Sequence, residues 1–146
     1  MALNSARSGF RYPAYRYEVC REHVRDYAIA THVHDPRYTE DRPDAEYEPL
    51  PVPAAYIACI TGARAWNLVM ADPELGAHSR LMHSGQEFEF TRPVCIGDTL
   101  ICTPTIMDIR AVRGLELLTL RVECVTPTRE PVVSSQARLV FFPEPA

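Results

Sequence analysis

Residues 52–70 read VPAAYIACITGARAWNLVM and form the longest apolar stretch of the chain. Pro53 stands at its start, where a helix tolerates proline because the first-turn N–H groups have no partner within the helix. Apolar residues then fall on most sides of a helical wheel, and a helix of that kind must be buried. The stretch therefore predicts a long buried helix, while Arg64 and Asn67 make it too polar to span a bilayer.

The sequence after this helix is strand-like. Glu and Phe alternate in residues 86–91, and three further apolar runs follow turn signals such as Gly97-Asp98 and Arg113-Gly114. Runs of similar length joined by short turns favour antiparallel neighbours. The predicted strands cover residues 86–91, 99–109, 115–125 and 132–142. A long central helix followed by this meander predicts an α+β fold in which an antiparallel sheet wraps around the helix.

The sequence before the helix predicts smaller elements. Residues 15–19 alternate as a short strand, and residues 21–31 have helical spacing that ends near Asp35-Pro36. Residues 39–51 are dense in Asp, Glu and Pro and predict an exposed loop. Residues 1–12 are polar and irregular and predict a loose N-terminal arm. With no internal repeat or linker, residues 1–146 are expected to form a single domain.

Composition narrows the classes of function. The formal net charge is −4 and the pI is near 5.7, which argues against a nucleic-acid partner. Five cysteines without a C-x-x-C spacing favour free thiols in a reducing compartment. No charged-then-apolar leader pattern opens the chain. We therefore expect a cytoplasmic protein without membrane insertion.

Three segments carry a family resemblance. Residues 27–38 read YAIATHVHDPRY, residues 52–56 read VPAAY, and residues 83–100 read HSGQEFEFTRPVCIGDTL. In this order they resemble the MaoC-like hydratase/dehydratase family, whose motifs are Ala-x-Gly-Asp-x-Asn-Pro-x-His, Val-Pro-Pro-x-Phe and His-x-x-Gln-x-Phe-x-x-x-Arg-Pro-x-x-x-Gly-Asp-x-Leu. The resemblance spans residues ~16 to ~142 and implies a single hot-dog fold that pairs into dimers.

The resemblance also implies a reaction. Family members reversibly add water to an enoyl thioester and form an (R)-3-hydroxyacyl thioester, with an Asp and a His moving the protons. On this chain the catalytic Asp position holds Val33 and the catalytic His position holds Tyr38. Valine cannot exchange a proton, and a tyrosine with an ordinary pKa near ~10 is a poor base at neutral pH. His34 and Asp35 are the fallback candidates for acid–base chemistry.

This departure resembles the degenerate, substrate-binding subunit of heterodimeric (3R)-hydroxyacyl-acyl-carrier-protein dehydratases. It implies a non-catalytic subunit that accommodates the acyl chain while a second hot-dog subunit supplies the catalytic pair of this lyase. The partners implied are an acyl-CoA or acyl-carrier-protein thioester of fatty-acid or polyketide biosynthesis, and no cofactor is implied. Two alternatives stay open: a self-sufficient homodimeric enzyme with altered active-site residues, and a plain acyl-thioester binding module.

Other residues have both a structural and a functional interpretation. The substrate-binding candidates are Tyr38, Pro53, Tyr56, His83, Gln86 and Arg92. His83 and Gln86 can line the thioester entrance or serve only to hold backbone. Arg92 can contact phosphopantetheine or hold its turn through carbonyls or Asp98. The His32-Val33-His34-Asp35 run lacks the spacing of a metallohydrolase motif, so we predict no metal site.

Overall fold

The computed structural model describes residues 3–41, 49–76 and 80–142. Within these ranges, one antiparallel sheet has the strand order β1-β3-β4-β5-β2. The strands are β1 Tyr15–Glu18, β2 Leu81–Phe90, β3 Thr99–Val112, β4 Leu115–Val125 and β5 Pro131–Phe141. The predicted α+β class, with a sheet wrapped around a central helical segment, is confirmed. Most of the predicted 39–51 loop, residues 42–48, lies outside the described residues.

Local turn chemistry fixes the register of the long strands. Arg113 and Gly114 both have positive φ (51° and 80°) and join β3 to β4 through the pair Val112–Leu115. Two consecutive residues with positive φ make the hairpin turn whose twist matches that of paired strands. The β3–β4 and β4–β5 pairings extend along most of these strands. The remaining strands, β1 and β2, lie at the two edges of the sheet.

The helices before the central segment are short. Helix α1 spans Arg21–Ala30 and buries Val24 and Ala28 against the core. It ends at His32, which has φ 56°, and the Val33 N–H then donates to the Ala28 carbonyl at 2.8 Å. This is a left-handed helix terminus, where glycine is the usual residue. Helix α2 spans Pro36–Thr39 directly after this turn.

The central segment is not one continuous helix, which corrects the sequence prediction. A 3₁₀ turn spans Ala54–Tyr56, α3 spans Ile57–Thr61 and α4 spans Ala63–Met70. The break falls at Gly62, where an added Cβ would lie 2.4 Å from the backbone oxygen of Ala58. Only glycine permits so close an approach of the two backbone segments.

The central segment is also not buried on every side, as its composition had suggested. Ile57, Ile60 and Val69 are fully buried and belong to the same core as Leu118 and Phe141 of the sheet. The opposite face of the segment consists of small, exposed side chains: Ala54, Ala55, Ala58, Cys59 and Ala63. One face therefore builds the domain core, and the other remains open in the isolated chain.

The expectation of a loose N-terminal arm is wrong for the described residues of that segment. Leu3 and Tyr12 are buried, and the Tyr12 N–H donates to the Pro104 carbonyl of β3 at 2.9 Å. The Arg7 guanidinium and the Tyr12 hydroxyl, 2.8 Å away, both donate to the Asp72 carboxylate. Burial raises the Asp72 pKa, but these hydrogen bonds and one from the Glu74 backbone outweigh it, so the pKa is lowered overall.

Among the described residues, no helix is both long and apolar enough to cross a membrane.

Candidate functional site: the motif segment and the cavity

The motif segment, residues 32–38, begins where α1 ends. Val33 is half-buried and packs against the core, so the position of the family's catalytic carboxylate holds an aliphatic side chain in apolar surroundings. His32 stands at the left-handed position where the family motif has glycine. The rings of His32 and His34 lie 6.3 Å apart on the exposed side of the turn. Among the described residues, no group of three or more His, Cys, Asp or Glu could hold a metal ion.

Asp35, one of the two fallback groups, acts as a local structural residue. Its carboxylate accepts the Arg37 backbone N–H at 3.0 Å and caps the N-terminus of α2. The same carboxylate accepts two hydrogen bonds from the Arg37 guanidinium, at 3.0 and 2.7 Å. A carboxylate held by a cap and a forked ion pair is a poor proton acceptor, because both interactions favour its charged form. His34, the other fallback group, is exposed.

Tyr38 occupies the position of the catalytic histidine, and its hydroxyl is committed to the protein. The side chain is 8% exposed, and its Oη donates to the Pro51 carbonyl at 2.6 Å. Burial raises the pKa of this phenol, Arg37 lowers it by a smaller amount, and Asp35 and Cys95 raise it further. Tyr38 therefore stays protonated at neutral pH, and a protonated phenol cannot accept a proton as a general base.

Tyr56 and Pro53 lie at the start of the central segment. Tyr56 is 1% exposed, its hydroxyl hydrogen-bonds to that of Tyr17 at 2.8 Å, and its ring meets Tyr27 edge-on. Burial raises the pKa of Tyr56, and its hydrogen bond with Tyr17 raises it further. Pro53 precedes the 3₁₀ turn and is half-buried. The placement of Tyr56 is that of a core residue, and substrate contact by either residue stays a prediction.

A cavity of about 340 Å³ lies between the broken helix and the inner face of β2, β4 and β5. Ala58, Gly62 and Trp66 form its helical wall. Most of the remaining wall is apolar and comes from the strands. The strand residues that line it are Leu81, His83, Gln86, Leu120, Val122, Ser135, Ala137 and Leu139. A mostly apolar cavity of this size is of the kind that binds small molecules.

The motif segment and the cavity divide the predicted site residues. His83 and Gln86 line the cavity, whereas neither Val33 nor Tyr38 does. His83 is exposed, and its Nε2 lies 2.9 Å from the Gly85 carbonyl oxygen. The Gln86 Nε2 donates to the Ser135 hydroxyl at 2.7 Å, and Ser135 is itself 3% exposed. Of the six predicted substrate-binding residues, His83 and Gln86 line the cavity, whereas Tyr38, Pro53, Tyr56 and Arg92 do not.

Arg92 stabilises the turn before β3. Its guanidinium donates to both Asp98 carboxylate oxygens, at 2.8 and 3.2 Å, and to the Pro93 carbonyl at 2.8 Å. The Asp98 carboxylate also accepts the Cys95 N–H at 2.8 Å. The hydrogen bonds to Asp98 and the attraction of that carboxylate raise the pKa of Arg92, and burial opposes them by a smaller amount. The geometry matches the structural interpretation of Arg92, and its contact with phosphopantetheine stays a prediction.

Thr61, Gly62 and Ser135 are cavity residues that the sequence patterns did not identify. Thr61-Gly62 interrupts an otherwise apolar run, which is the signal that could have located the break. Ser135 lies between Val133 and Ala137 on the inward side of β5. A polar residue at an inward strand position is a departure from alternation that points to a lined cavity or a buried hydrogen bond.

The fold and this site define a hot-dog domain of the MaoC-like hydratase/dehydratase class. A family model described as "FAS1-like, dehydratase domain region" matches residues 6–135, and the chain belongs to that family. A protein of Streptomyces avermitilis named "UPF0336 protein" is 36% identical over 146 residues, covering 96% of this chain and 95% of that protein.

Two solved structures share the fold. A "MaoC-like dehydratase" superposes with a TM-score of 0.78 at 27% identity, and the match covers 94% of this chain and 43% of that chain. The C-terminally truncated HadBC (3R-hydroxyacyl-ACP dehydratase) complex of Mycobacterium tuberculosis superposes with a TM-score of 0.75 at 22% identity. That match covers 92% of this chain and 96% of the other, so the likeness extends over the whole hot-dog domain.

Proposed function

We propose that this chain is a non-catalytic subunit of an (R)-specific 3-hydroxyacyl-thioester dehydratase. It binds the acyl chain in the cavity below Gly62, and a second hot-dog subunit supplies the acid–base pair. The observation that carries the proposal is the pairing of an open apolar cavity with a motif segment that has no available proton-transfer pair. Val33 has no titratable group, and the Tyr38 hydroxyl donates to Pro51.

The fallback groups support the same conclusion. Asp35 caps α2 and pairs with Arg37, and an acid–base residue needs a group free to change its protonation state. His34 has a suitable side chain, but it lies on the exposed side of the turn. Among the described residues no hydrogen bond orients the His34 ring, and a histidine without an oriented partner is a weak general base.

Two surfaces fit a second hot-dog subunit. Strand β2 lies at the edge of the sheet and exposes Met82 and Phe90. The outer side of such an edge strand has no neighbouring strand in the sheet of the described residues, and a partly apolar edge of this kind is a natural site for strand addition. The small side chains on the open face of the central segment, such as Ala55 and Ala58, allow another backbone to approach closely. HadBC is a complex, which supports a two-subunit assembly for this chain as well.

The deciding experiment compares the chain alone with the chain bound to a catalytic partner. The partner is a hot-dog chain of the same source that keeps Asp-x-Asn-Pro-x-His. Hydration of crotonyl-CoA and of a long-chain enoyl-CoA is measured for the chain, the partner and the co-expressed complex. We expect negligible turnover by the lone chain and robust turnover by the complex, with the largest gain on the long substrate.

Variants of the fallback groups separate this proposal from a self-sufficient enzyme. H34A and D35N in the complex are expected to keep the rate of the unaltered complex, as is the control H23A on the exposed face of α1. Turnover by the lone chain that disappears in H34A or D35N would overturn the proposal in favour of a homodimeric enzyme. Binding of acyl thioesters without any association with the partner would instead favour a plain binding module.

A further inference from the structure

Three polar side chains cluster on the wall of the mostly apolar cavity. Thr61 and Ser135 are 5% and 3% exposed, and Gln86 is half-buried. The Gln86 Nε2 lies 2.7 Å from the Ser135 Oγ, which lies 2.9 Å from the Thr61 Oγ1. All three residues line the cavity. Buried polar groups are stable only when their hydrogen-bonding capacity is satisfied, so the cluster can be accounted for atom by atom.

The two hydroxyl groups are satisfied within the protein. The Thr61 Oγ1 has two acceptors within reach, the Ile57 carbonyl at 2.9 Å and the Ser135 Oγ at 2.9 Å. Ser135 receives an N–H from Gln86 and adjoins the Thr61 hydroxyl. The donors and acceptors of this pair therefore have partners in the wall itself.

The orientation of the Gln86 amide follows from its surroundings. The Nε2 faces two backbone carbonyl oxygens in addition to Ser135, Gln136 at 3.3 Å and Glu87 at 3.4 Å. With the amide reversed, its oxygen would face those two carbonyl oxygens, which is unfavourable because all are acceptors. The nitrogen is thus the atom that faces the sheet. The hydrogen bonds of the described residues use only this nitrogen of the Gln86 side chain and leave its Oε1 as an acceptor.

We propose that Gln86 is a specificity-determining residue that selects acyl chains carrying a hydroxyl group beyond C3, at the carbon that passes the Gln86 Oε1. This inference rests on the proposed binding of an acyl chain in the cavity. A hydroxyl donates to the Gln86 Oε1, whereas a plain alkyl chain displaces water from this acceptor and leaves it without a donor. A keto group at the same carbon is excluded because it offers only a second acceptor.

The cavity volume guides the choice of acyl-chain length for the binding probes. A volume of about 340 Å³ lies at the lower end of the roughly 300–1,000 Å³ range of small-molecule cavities, so we choose a medium-length dodecanoyl chain. The probes are dodecanoyl-CoA, a positional series of monohydroxydodecanoyl-CoA with the hydroxyl moved along the chain beyond C3, and the matching keto series. Trp66 lines the cavity and is the single tryptophan of the chain, so its fluorescence reports binding to the full-length protein. Calorimetry repeats the measurement on the complex.

One hydroxyl position is expected to bind about tenfold more tightly than both dodecanoyl-CoA and its keto counterpart. Q86M keeps the length of the side chain but removes the acceptor, so it should bind all three probes equally. The matched control is Q136M: Gln136 adjoins Ser135 in β5 but lines a separate groove with Glu87 and Arg121. Q136M should keep the preference for the hydroxyl.

Three results would overturn the inference while leaving the proposed function intact. The first is binding of the plain, hydroxyl and keto chains within twofold at every position, and the second is a hydroxyl preference that persists in Q86M. Tighter binding of a keto chain would also overturn it, because a donor would then face the cavity. Binding of no thioester by chain or complex would overturn the proposed function as well. If Q86M does not fold, the comparison of the three probes on the unaltered protein still decides.

Discussion

The motif segment and the cavity contain similar kinds of polar residue but use them differently. In the motif segment, Asp35 caps α2 and Tyr38 donates to Pro51, so both side chains stabilise local structure. In the cavity, Gln86 and Ser135 are also hydrogen-bonded, yet they face open space. A family motif therefore shows where a site lies in the fold. What the site can bind depends on the hydrogen-bond donors and acceptors that face the cavity and are not used within the protein.

The strongest test of the cavity is Gly62→Ala. The added Cβ would lie 2.4 Å from the Ala58 oxygen, so the helical wall must shift, and we expect a loss of about 2–3 kcal/mol in the free energy of unfolding. Acyl-thioester binding should weaken with it. If Gly62 were only a weak helix former, alanine would instead stabilise the protein by up to ~1 kcal/mol. Urea denaturation therefore distinguishes the two explanations by sign.

The control for Gly62→Ala is Asn67→Ala on the exposed face of α4. It introduces alanine into the helix that follows Gly62, at an exposed position outside the cavity, and we expect a change within about 0.5 kcal/mol. Equal effects of the two substitutions would show that the break at Gly62 has no special role in the cavity.

The outcome at Gly62 also shows what the sequence could and could not predict. The order of helix and strands follows from apolar periodicity, and Arg113-Gly114 marks a turn that is visible in the sequence. The break in the central helix depends on the distance between Gly62 and the Ala58 oxygen, which no periodicity encodes. The docking of residues 3–12 depends on contacts with β3 and Asp72 that are distant in the sequence.

The candidate site could also be predicted only in part, because some of its features depend on residue type and others on contacts between distant segments. The substitution of the acid–base positions by Val33 and Tyr38 is readable because residue type alone removes the chemistry. The capping role of Asp35 and the grouping of Gln86 with Ser135 depend on side-chain geometry. Gln86 was identified through a motif, but its partners in the cavity wall lie on elements far along the chain, which only the fold brings together.

The motif segment is tested next by Tyr38→Phe. The substitution removes the donor to the Pro51 carbonyl and should lower the free energy of unfolding by about 1–2 kcal/mol. The dehydratase rate of the complex should not change, because the proposed role of Tyr38 is structural. A large fall in rate with unchanged stability, measured by parallel kinetics and urea denaturation, would instead assign Tyr38 to catalysis.

The pH dependence of stability gives a smaller and independent test of Tyr38. Burial raises its pKa in the folded state, so its contribution is fully present below the unfolded-state pKa near ~10 and is lost as pH rises through the folded-state pKa. The loss is at most about 1.4 kcal/mol per pH unit for one proton. Tyr17, Tyr56 and Cys124 also have raised pKa values, so the unaltered protein loses stability through several groups.

The difference between the unaltered protein and Tyr38→Phe isolates the one phenol. We expect the stability advantage of Tyr38 to shrink as the pH is raised above ~10 and to be constant between neutral pH and that point. Urea denaturation at a series of alkaline pH values measures this difference. An advantage that falls between pH 7 and 9 would contradict a raised pKa and would point to a phenol tuned for proton transfer.

The smallest expected effect is at His32, where the motif segment leaves α1. His32 has φ 56°, a conformation that costs a residue with a Cβ more than it costs glycine. We expect His32→Gly to stabilise the protein by about 0.5–1 kcal/mol. The matched control is His34→Gly, two residues along, which should destabilise slightly because His34 does not have a positive φ. If both substitutions destabilise equally, then the His32 side chain contributes contacts that outweigh its backbone strain, and the motif segment would have to be regarded as a binding surface.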